Sequence, residues 1–378
     1  MKGTITRRGK TSWRLKFDIG RGTDGTREIR YQTVRGKRQD AEKELTKQLQ
    51  AFHDGMLVAP AKTTIAEYLR SWLDRANVSP KTLERYRQLV EQQIIPHLGH
   101  IELQKLRPAK LKDWHATLTK SGGKDDKPLS ARTIGHAHRV LHKALADAAA
   151  IELVPRNVAT VIKPPKVESE EVEILTSPQI TEILAKLEGH RLYPFAAIDL
   201  GTGLRRGELL ALRWSDVDLE GATLRVDRSL EETNAGLRFK TPKTKHGRRT
   251  VSLPAAALEA LRVHRRQQLE LRMALGCGRE PTDALVFCSP EGAPLSPDNL
   301  SRDWRRTVTA KSLPEVTFHA LRHTHASILI AQGVDILTIS RRLGHGTPAV
   351  TLTVYAHLIE KVDTKAAVAI DAALNKGA

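Results

Sequence analysis

Between residues 202 and 355 the chain carries arginines, lysines, histidines and a tyrosine spaced too widely for one secondary-structure element. TGLRRGE, residues 202–208, reads as a helix start after a glycine-rich turn and holds Arg205, Arg206 and Glu208. PKTKHG, residues 242–247, puts Lys243 and Lys245 in a loop between strands. HALR sets His319 and Arg322 at i and i+3, on one helix face. LGH ends a helix at Gly344 and presents His345, and Tyr355 follows ten residues later. These residue types suit an oxyanion. Arginine's planar fork donates paired hydrogen bonds to phosphate-like oxygens and stays charged at any working pH. Two such forks with imidazole donors give preorganised stabilisation where negative charge develops.

Each residue also has a plainer reading. Arg205 and Glu208 suit a surface ion pair, and Arg206 a solvated neighbour. His345 suits a helix C-terminus, where the macrodipole favours it. Tyr355 suits a core. His319, His323 and His325 raise the question of a metal, since His319 and His323 are i, i+4. The stretch between them holds Leu321 and Arg322 and lacks the glutamate of H-E-x-x-H.

Taken in order, Arg, Lys on a hairpin, H-x-x-R, L-G-H and Tyr resemble the tyrosine recombinase (phage integrase) family. TGLRRGELLAL, FHALRHTHAS and RRLGHGTPAVTLTVYAHL look like its best-known segments, and the resemblance covers about residues 60–360. It implies that Arg205, His319, Arg322 and His345 surround a scissile phosphate, that Lys243 reaches in from the hairpin, and that Tyr355 is the nucleophile. A phenol of pKa about 10 must lose its proton to attack; His319 is the candidate base. The departing 5′ oxygen needs an acid. Lys243 is favoured for that role, with Lys245 the alternative because hairpin lengths vary across the family. Glu208 is expected to hold an arginine or imidazole in place. The implied intermediate is a 3′-phosphotyrosyl linkage, formed without metal or cofactor and reversible without ATP.

The same resemblance implies partners and place. Double-stranded DNA would be held at core and arm sites, with four copies of the chain in a synaptic complex. A host DNA-bending protein and an excisionase are possible accessories. The compartment would be a bacterial cytoplasm, and the outcome integration and excision of a phage or mobile element. A type IB topoisomerase-like enzyme uses similar chemistry as a monomer; the arm-like module and the tail after Tyr355 argue against it. A catalytically inactive DNA-binding regulator is a rival from another class, and the full constellation argues against it.

Composition agrees with a polyanionic partner. The net charge is +18 and the excess sits early: +7 over residues 1–57, +9 over 58–166 and only +2 over 167–378. Hydrophobic residues make up 40%, enough for buried cores. MKGTITRRGK has no apolar run after it and is not expected to be a signal peptide. Nor does any apolar run approach the ~18 residues of a membrane helix. Cys277 and Cys288 form no C-x-x-C pattern and point to neither a disulfide framework nor zinc.

The elements that position these residues read as a multidomain chain, mainly α with β. Residues 12–19 and 26–33 alternate as strands, and 37–52 read as a helix with Ala41, Leu45, Leu49 and Phe52 on one side. The resemblance makes this an arm-type DNA-binding domain, a small three-stranded sheet plus helix over residues 1–57. Residues 58–166 read as a four-helix core-binding (SAM-like) domain. TIAE at 64–67 is a capping box, Ser79-Pro80 starts a helix that Pro96 and Gly99 stop, and helices follow Pro108 and Ser130. KPPKVESEEVE, residues 163–173, is an exposed linker. A mixed α+β catalytic domain fills residues 174–378, strand-rich over 222–254, with a short helix expected over 362–374.

Overall fold

Alternating side chains fix the N-terminal sheet. In the computed structural model, which describes residues 3–21, 27–53, 62–168, 172–242 and 247–359 with 368, 370, 371 and 374, three antiparallel strands pair in chain order. They are β1 (Thr4–Gly9), β2 (Ser12–Arg21) and β3 (Arg27–Arg35). The register sets Ile5 opposite Leu15, and Trp13 opposite Val34. These residues pack with Ala41, Leu45 and Leu49 of α1 (Arg38–His53). The other face carries Thr6, Arg14 and Thr33 in one row and Lys16 beside Tyr31 in the next. The Arg14 guanidinium lies 4.9 Å from the Tyr31 ring centroid, and Tyr31 is 52% exposed. Residue pattern alone did not mark β1. TITRRG offers one apolar side chain to the core, too few to alternate.

The helices that follow are set by their caps. Thr64 and Glu67 form the expected capping box at the start of α2 (Ile65–Arg75), which buries Ile65, Tyr68, Leu69, Trp72 and Leu73. Pro80 opens α3 (Pro80–Leu89), and Pro108 opens α5 (Pro108–Ser121). The Ser130 side chain caps α6 (Ala131–Ala150). Tyr68 and Trp72 donate to the Ala144 carbonyl and the Asp147 carboxylate of α6, both at 2.7 Å. One expectation fails: Pro96 does not stop the helix. The chain runs from α3 through a π-helical stretch, Val90–Ile94, into α4 (Ile95–Leu98), and ends at Gly99. The Ile95 N–H reaches back five residues to the Val90 carbonyl. Widening the turn in this way accommodates a residue that has no N–H to give.

By compactness the chain divides into Met1–Glu168 and Ser169–Ala378. The second unit opens with α7 (Ser177–Leu187), α8 (Tyr193–Thr202) and the short α9 (Arg206–Leu209). An antiparallel sheet follows, in the order β4 (Val217–Asp218), β5 (Thr223–Val226), β8 (Arg249–Ser252). A separate hairpin pairs β6 (Ser229–Thr233) with β7 (Gly236–Lys240). Helices α10 (Ala255–Ala274), α11 (Pro297–Ala310), α12 (Phe318–Ala331), α13 (Ile336–Leu343) and α14 (Pro348–Ile359) complete it. The main core joins Ile183, Leu209, Leu224, Phe287, Trp304 and Leu321 among others. A smaller one joins Ala326, Ile330, Ile339, Leu343 and Tyr355. The loop holding Lys243 and Lys245 lies outside the described residues, as does most of the segment 362–374. Among the described residues no helix is long and apolar enough to cross a membrane.

Candidate active site

Two helix ends converge on two arginines. Helix α8 ends at Gly203 in the left-handed region, φ 64 and ψ 33, and α13 ends at Gly344, φ 67 and ψ 42. Glycine takes this conformation without the Cβ penalty. At Gly203 a Cβ would also stand 2.6 Å from the His325 ring and 2.9 Å from Leu343. Arg322 on α12 spans both ends, donating from Nη1 to the Gly203 carbonyl and from Nη2 to the Leu343 carbonyl at 2.8 Å. Arg205, the N-cap of α9, donates from Nη2 to the next carbonyl, Gly344, at 2.9 Å. The carbonyl end of a helix favours cations. Adjacent carbonyls of α13 thus hold the two guanidiniums side by side.

The two arginines differ in exposure. Arg322 is 2% exposed; burial first, and then the charge of Arg205, bring its pKa down to about 10, so it remains a cation. The Arg205 side chain is 40% exposed and leaves donors facing outward. Its Nη1 binds Glu208 Oε1 at 2.7 Å, and its backbone N–H binds Oε2 of the same carboxylate. Burial alone would raise the Glu208 carboxyl. Arg249 and Arg205 outweigh that and hold it below the usual carboxylate range. Glu208 thus bonds both Arg205 and a second arginine, Arg249, which sequence reasoning missed. Arg249 opens β8, binds Glu208 at 2.8 Å and the Arg342 carbonyl at 2.6 Å, and has no local motif to announce it.

The histidines divide by their partners. His345, just past Gly344, shares a 2.7 Å hydrogen bond between Nδ1 and the buried Thr351 hydroxyl. Burial first, then Arg322 and Arg205, push its pKa down to about 4, so it is neutral near pH 7 and within reach of both arginines' charge. His319 lies one turn before Arg322 on α12; burial, with Arg322 and Arg205, lowers its pKa. His325 is spent on structure. Arg342 donates to its Nε2 at 3.0 Å, which fixes the hydrogen on Nδ1, facing the Leu200 carbonyl at 2.7 Å. Among the described residues no group of His, Cys, Asp or Glu is arranged to hold a metal ion.

Tyr355 on α14 is 1% exposed and packs with Ile339 and Leu343 of α13. The ring that touches its phenol is His323, with Nδ1 at 2.8 Å, and not His319. Burial pushes the phenol up to about 12, and Arg322 pulls the other way. The sequence weighed His323 only as a metal ligand. Arg206, expected to be solvated, is tied to Ser301 and Asp298 of α11. The site thus brings together Arg205, Glu208, His319, Arg322, His345 and Tyr355. Lys243 and Lys245 stay outside the described residues.

Comparison with known proteins agrees. The family model described as "Phage integrase family" matches residues 173–361, and "Phage integrase, N-terminal SAM-like domain" matches 64–119. An integrase of Streptomyces ambofaciens is 30% identical over 380 residues, covering 97% of this chain and 94% of that protein. A XerC-like tyrosine recombinase of Caldanaerobacter subterraneus subsp. tengcongensis is 27% identical, covering 97% of each. Among solved structures, the Tn1549 transposon integrase in complex with transposon right end DNA has TM-score 0.67 at 24% identity, over 80% of this chain and 98% of that one. A lambda integrase tetramer bound to a Holliday junction has TM-score 0.55 at 19% identity, over 91% and 96%. The chain belongs to the phage integrase family and is a site-specific tyrosine recombinase.

Proposed function

We propose that this recombinase cuts one DNA strand with Tyr355 and leaves a 3′-phosphotyrosyl linkage, which a second strand's 5′-hydroxyl resolves. The observation that carries the reading is the anchoring of Arg205 and Arg322 on the consecutive carbonyls of Gly344 and Leu343, with His345 next in the chain. That arrangement fixes two guanidiniums and an imidazole before any phosphate arrives, so they need little reorganisation as charge develops. Arg205, with outward-facing donors, takes non-bridging oxygens. Arg322 supplies charge from below, and His319 and His345 supply neutral imidazole donors. Glu208, held by Arg249, sets the angle of Arg205. Lys243 protonates the departing 5′ oxygen, with Lys245 the alternative.

The rest of the chain delivers DNA to this centre. The open face of the N-terminal sheet, with Arg14, Lys16, Tyr31 and Thr33, suits the major groove of an arm site. The helical region over residues 58–166 holds the core site, and the catalytic domain over 174–378 does the chemistry. Four copies act on two duplexes, with a host DNA-bending protein and an excisionase as accessories, in the cytoplasm of a bacterial host. The product is an integrated or excised phage or mobile element. A nicked suicide substrate tests the reading: wild type should leave a covalent band on a denaturing gel. Tyr355→Phe should bind the same DNA and leave none. A normal band from the mutant would refute it.

A further inference from the structure

The side chain in contact with the nucleophile is His323, which follows Arg322 on α12. Its Nδ1 lies 2.8 Å from the Tyr355 hydroxyl, and the two rings meet edge-on with centroids 5.7 Å apart. His319, one turn earlier, packs edge-on against His323 with centroids 4.7 Å apart. The phenol therefore sits beside the same turn of α12 that carries Arg322. A phenol at 1% exposure has little access to bulk water, so its proton needs a nearby acceptor.

We propose that His323 is a catalytic residue: the proton acceptor that turns the Tyr355 phenol into the attacking phenolate. This rests on Tyr355 being the nucleophile. A hydroxyl can donate to Nδ1 when the imidazole carries its hydrogen on Nε2. The groups around the ring are His319 and Arg322 on α12, Tyr355 on α14, and His345 ahead of α14. Burial, with His319 and Arg322, pushes the His323 pKa down to about 4, so the ring is neutral and free to accept. An arriving phosphodiester offsets the charge of Arg322 and makes the ring more basic when the proton must move.

The proton and electrons balance. The phenolic O–H bond breaks and its proton moves to Nδ1, while the oxygen forms a bond to phosphorus. The bond from phosphorus to the 5′ oxygen breaks. That oxygen keeps the electron pair and takes a proton from the acid assigned to Lys243. In the rejoining step a 5′-hydroxyl attacks phosphorus and gives its proton to the now neutral amine assigned to Lys243. The bond from phosphorus to the Tyr355 oxygen breaks, and the imidazolium returns its proton to the departing phenolate.

The test is single-turnover cleavage of a suicide substrate by the full chain, followed against pH, with a gel shift on the same duplex as the control for folding. His323→Ala should bind DNA and cleave more slowly near neutral pH by a factor on the order of 10²–10⁴. Its rate should climb with pH as hydroxide takes over. His323→Gln keeps a hydrogen-bond acceptor but cannot take the proton, so it should stay as slow. If the Ala variant fails to bind, the Gln variant, closer in size, carries the test. A fluorinated tyrosine at position 355, with a more acidic phenol, should speed the His323 variants more than wild type. A Gln variant at the wild-type rate would leave His323 only a positioning role and overturn the proposal. An Ala variant as fast as or faster than wild type would make the contact a latch on an idle phenol, which also overturns it. Tyr355→Phe separates the two claims. If it still forms an adduct, the nucleophile is wrong. If it is dead while His323→Ala is unimpaired, only the base is wrong.

Discussion

Arg249 donates from Nη2 to Glu208 Oε2 across 2.8 Å, and the two side chains are 7% and 4% exposed. Removing one member of a pair this deep leaves the other's charge uncompensated. Arg249→Ala should cost about 3 kcal/mol, the low end of the usual range because Arg205 still holds Glu208. Urea denaturation of the full chain reads this. Adding Glu208→Gln to Arg249→Ala should recover part of the loss. A neutral Arg249→Ala would mean that the pair does not position Arg205.

Gly203 tests the convergence of helix ends. Gly203→Ala forces a left-handed backbone, about 1–2 kcal/mol, and drives a methyl group toward His325 and Leu343, about 1–3 kcal/mol more. Since the Gly203 carbonyl anchors Arg322, cleavage should fall further than stability alone accounts for. Cleavage measured well below the variant's melting temperature separates the two effects. A destabilised variant that cleaves normally would detach Arg322 from the site.

A buried histidine pair should make the helical region acid-labile. His115 Nε2 and His138 Nδ1 lie 3.1 Å apart between α5 and α6. Burial first, then His115, His142 and Arg139, push His138 down to about 4, against a backbone hydrogen bond to Ala159. An unfolded histidine titrates near 6.5. Between about pH 6.5 and 4 the unfolded chain therefore binds more protons, so stability should fall as pH drops through that window. His138→Gln should flatten the dependence in urea titrations near pH 7 and pH 5. An unchanged slope would place the acid lability elsewhere.

How much of this was legible in the sequence depends on how local each signal is. Arg205 with Glu208, the i, i+3 pair His319 and Arg322, and His345 after Gly344 are short-range patterns tied to helix caps and faces, so they could be read directly. Arg249, Thr351 and the contact of His323 with Tyr355 are tertiary. They join positions up to 93 residues apart through side chains with no periodicity. Strand β1 was implied by the resemblance and not by the residue pattern, because an edge strand with one half-buried residue does not alternate. Pro96 misled because its missing N–H is absorbed by a π turn, which leaves no mark in composition.

The N-terminal sheet should act as a separable arm binder. Deleting residues 1–57 should weaken arm-site binding and leave weak core-site cleavage. Each lost phosphate contact should lessen the slope of log affinity against log salt by about 0.9. If a folded truncation lost single-site cleavage altogether, the sheet would belong to the catalytic machinery.

Lys243 and Lys245 are separated by the leaving group. A 5′-bridging sulfur leaves without a proton, so Lys243→Ala should be slow on normal DNA and near wild type on the phosphorothiolate. Arg205→Ala should recover much less, since its oxygens are non-bridging. Rescue of Lys245→Ala instead would reverse the two. Cleavage should persist in EDTA; loss restored by Mg²⁺ or Zn²⁺ would contradict a mechanism built on arginines.

The central claim is that Tyr355 holds the DNA. The adduct trapped on a suicide substrate can be digested and its nucleotide-bearing peptide sequenced by mass spectrometry. The chain has five tyrosines, so the outcome is discrete. The account predicts the remnant on the peptide containing Tyr355, linked through the 3′ phosphate. A remnant on Tyr31, Tyr68, Tyr86 or Tyr193, or one linked through a 5′ phosphate, would contradict it.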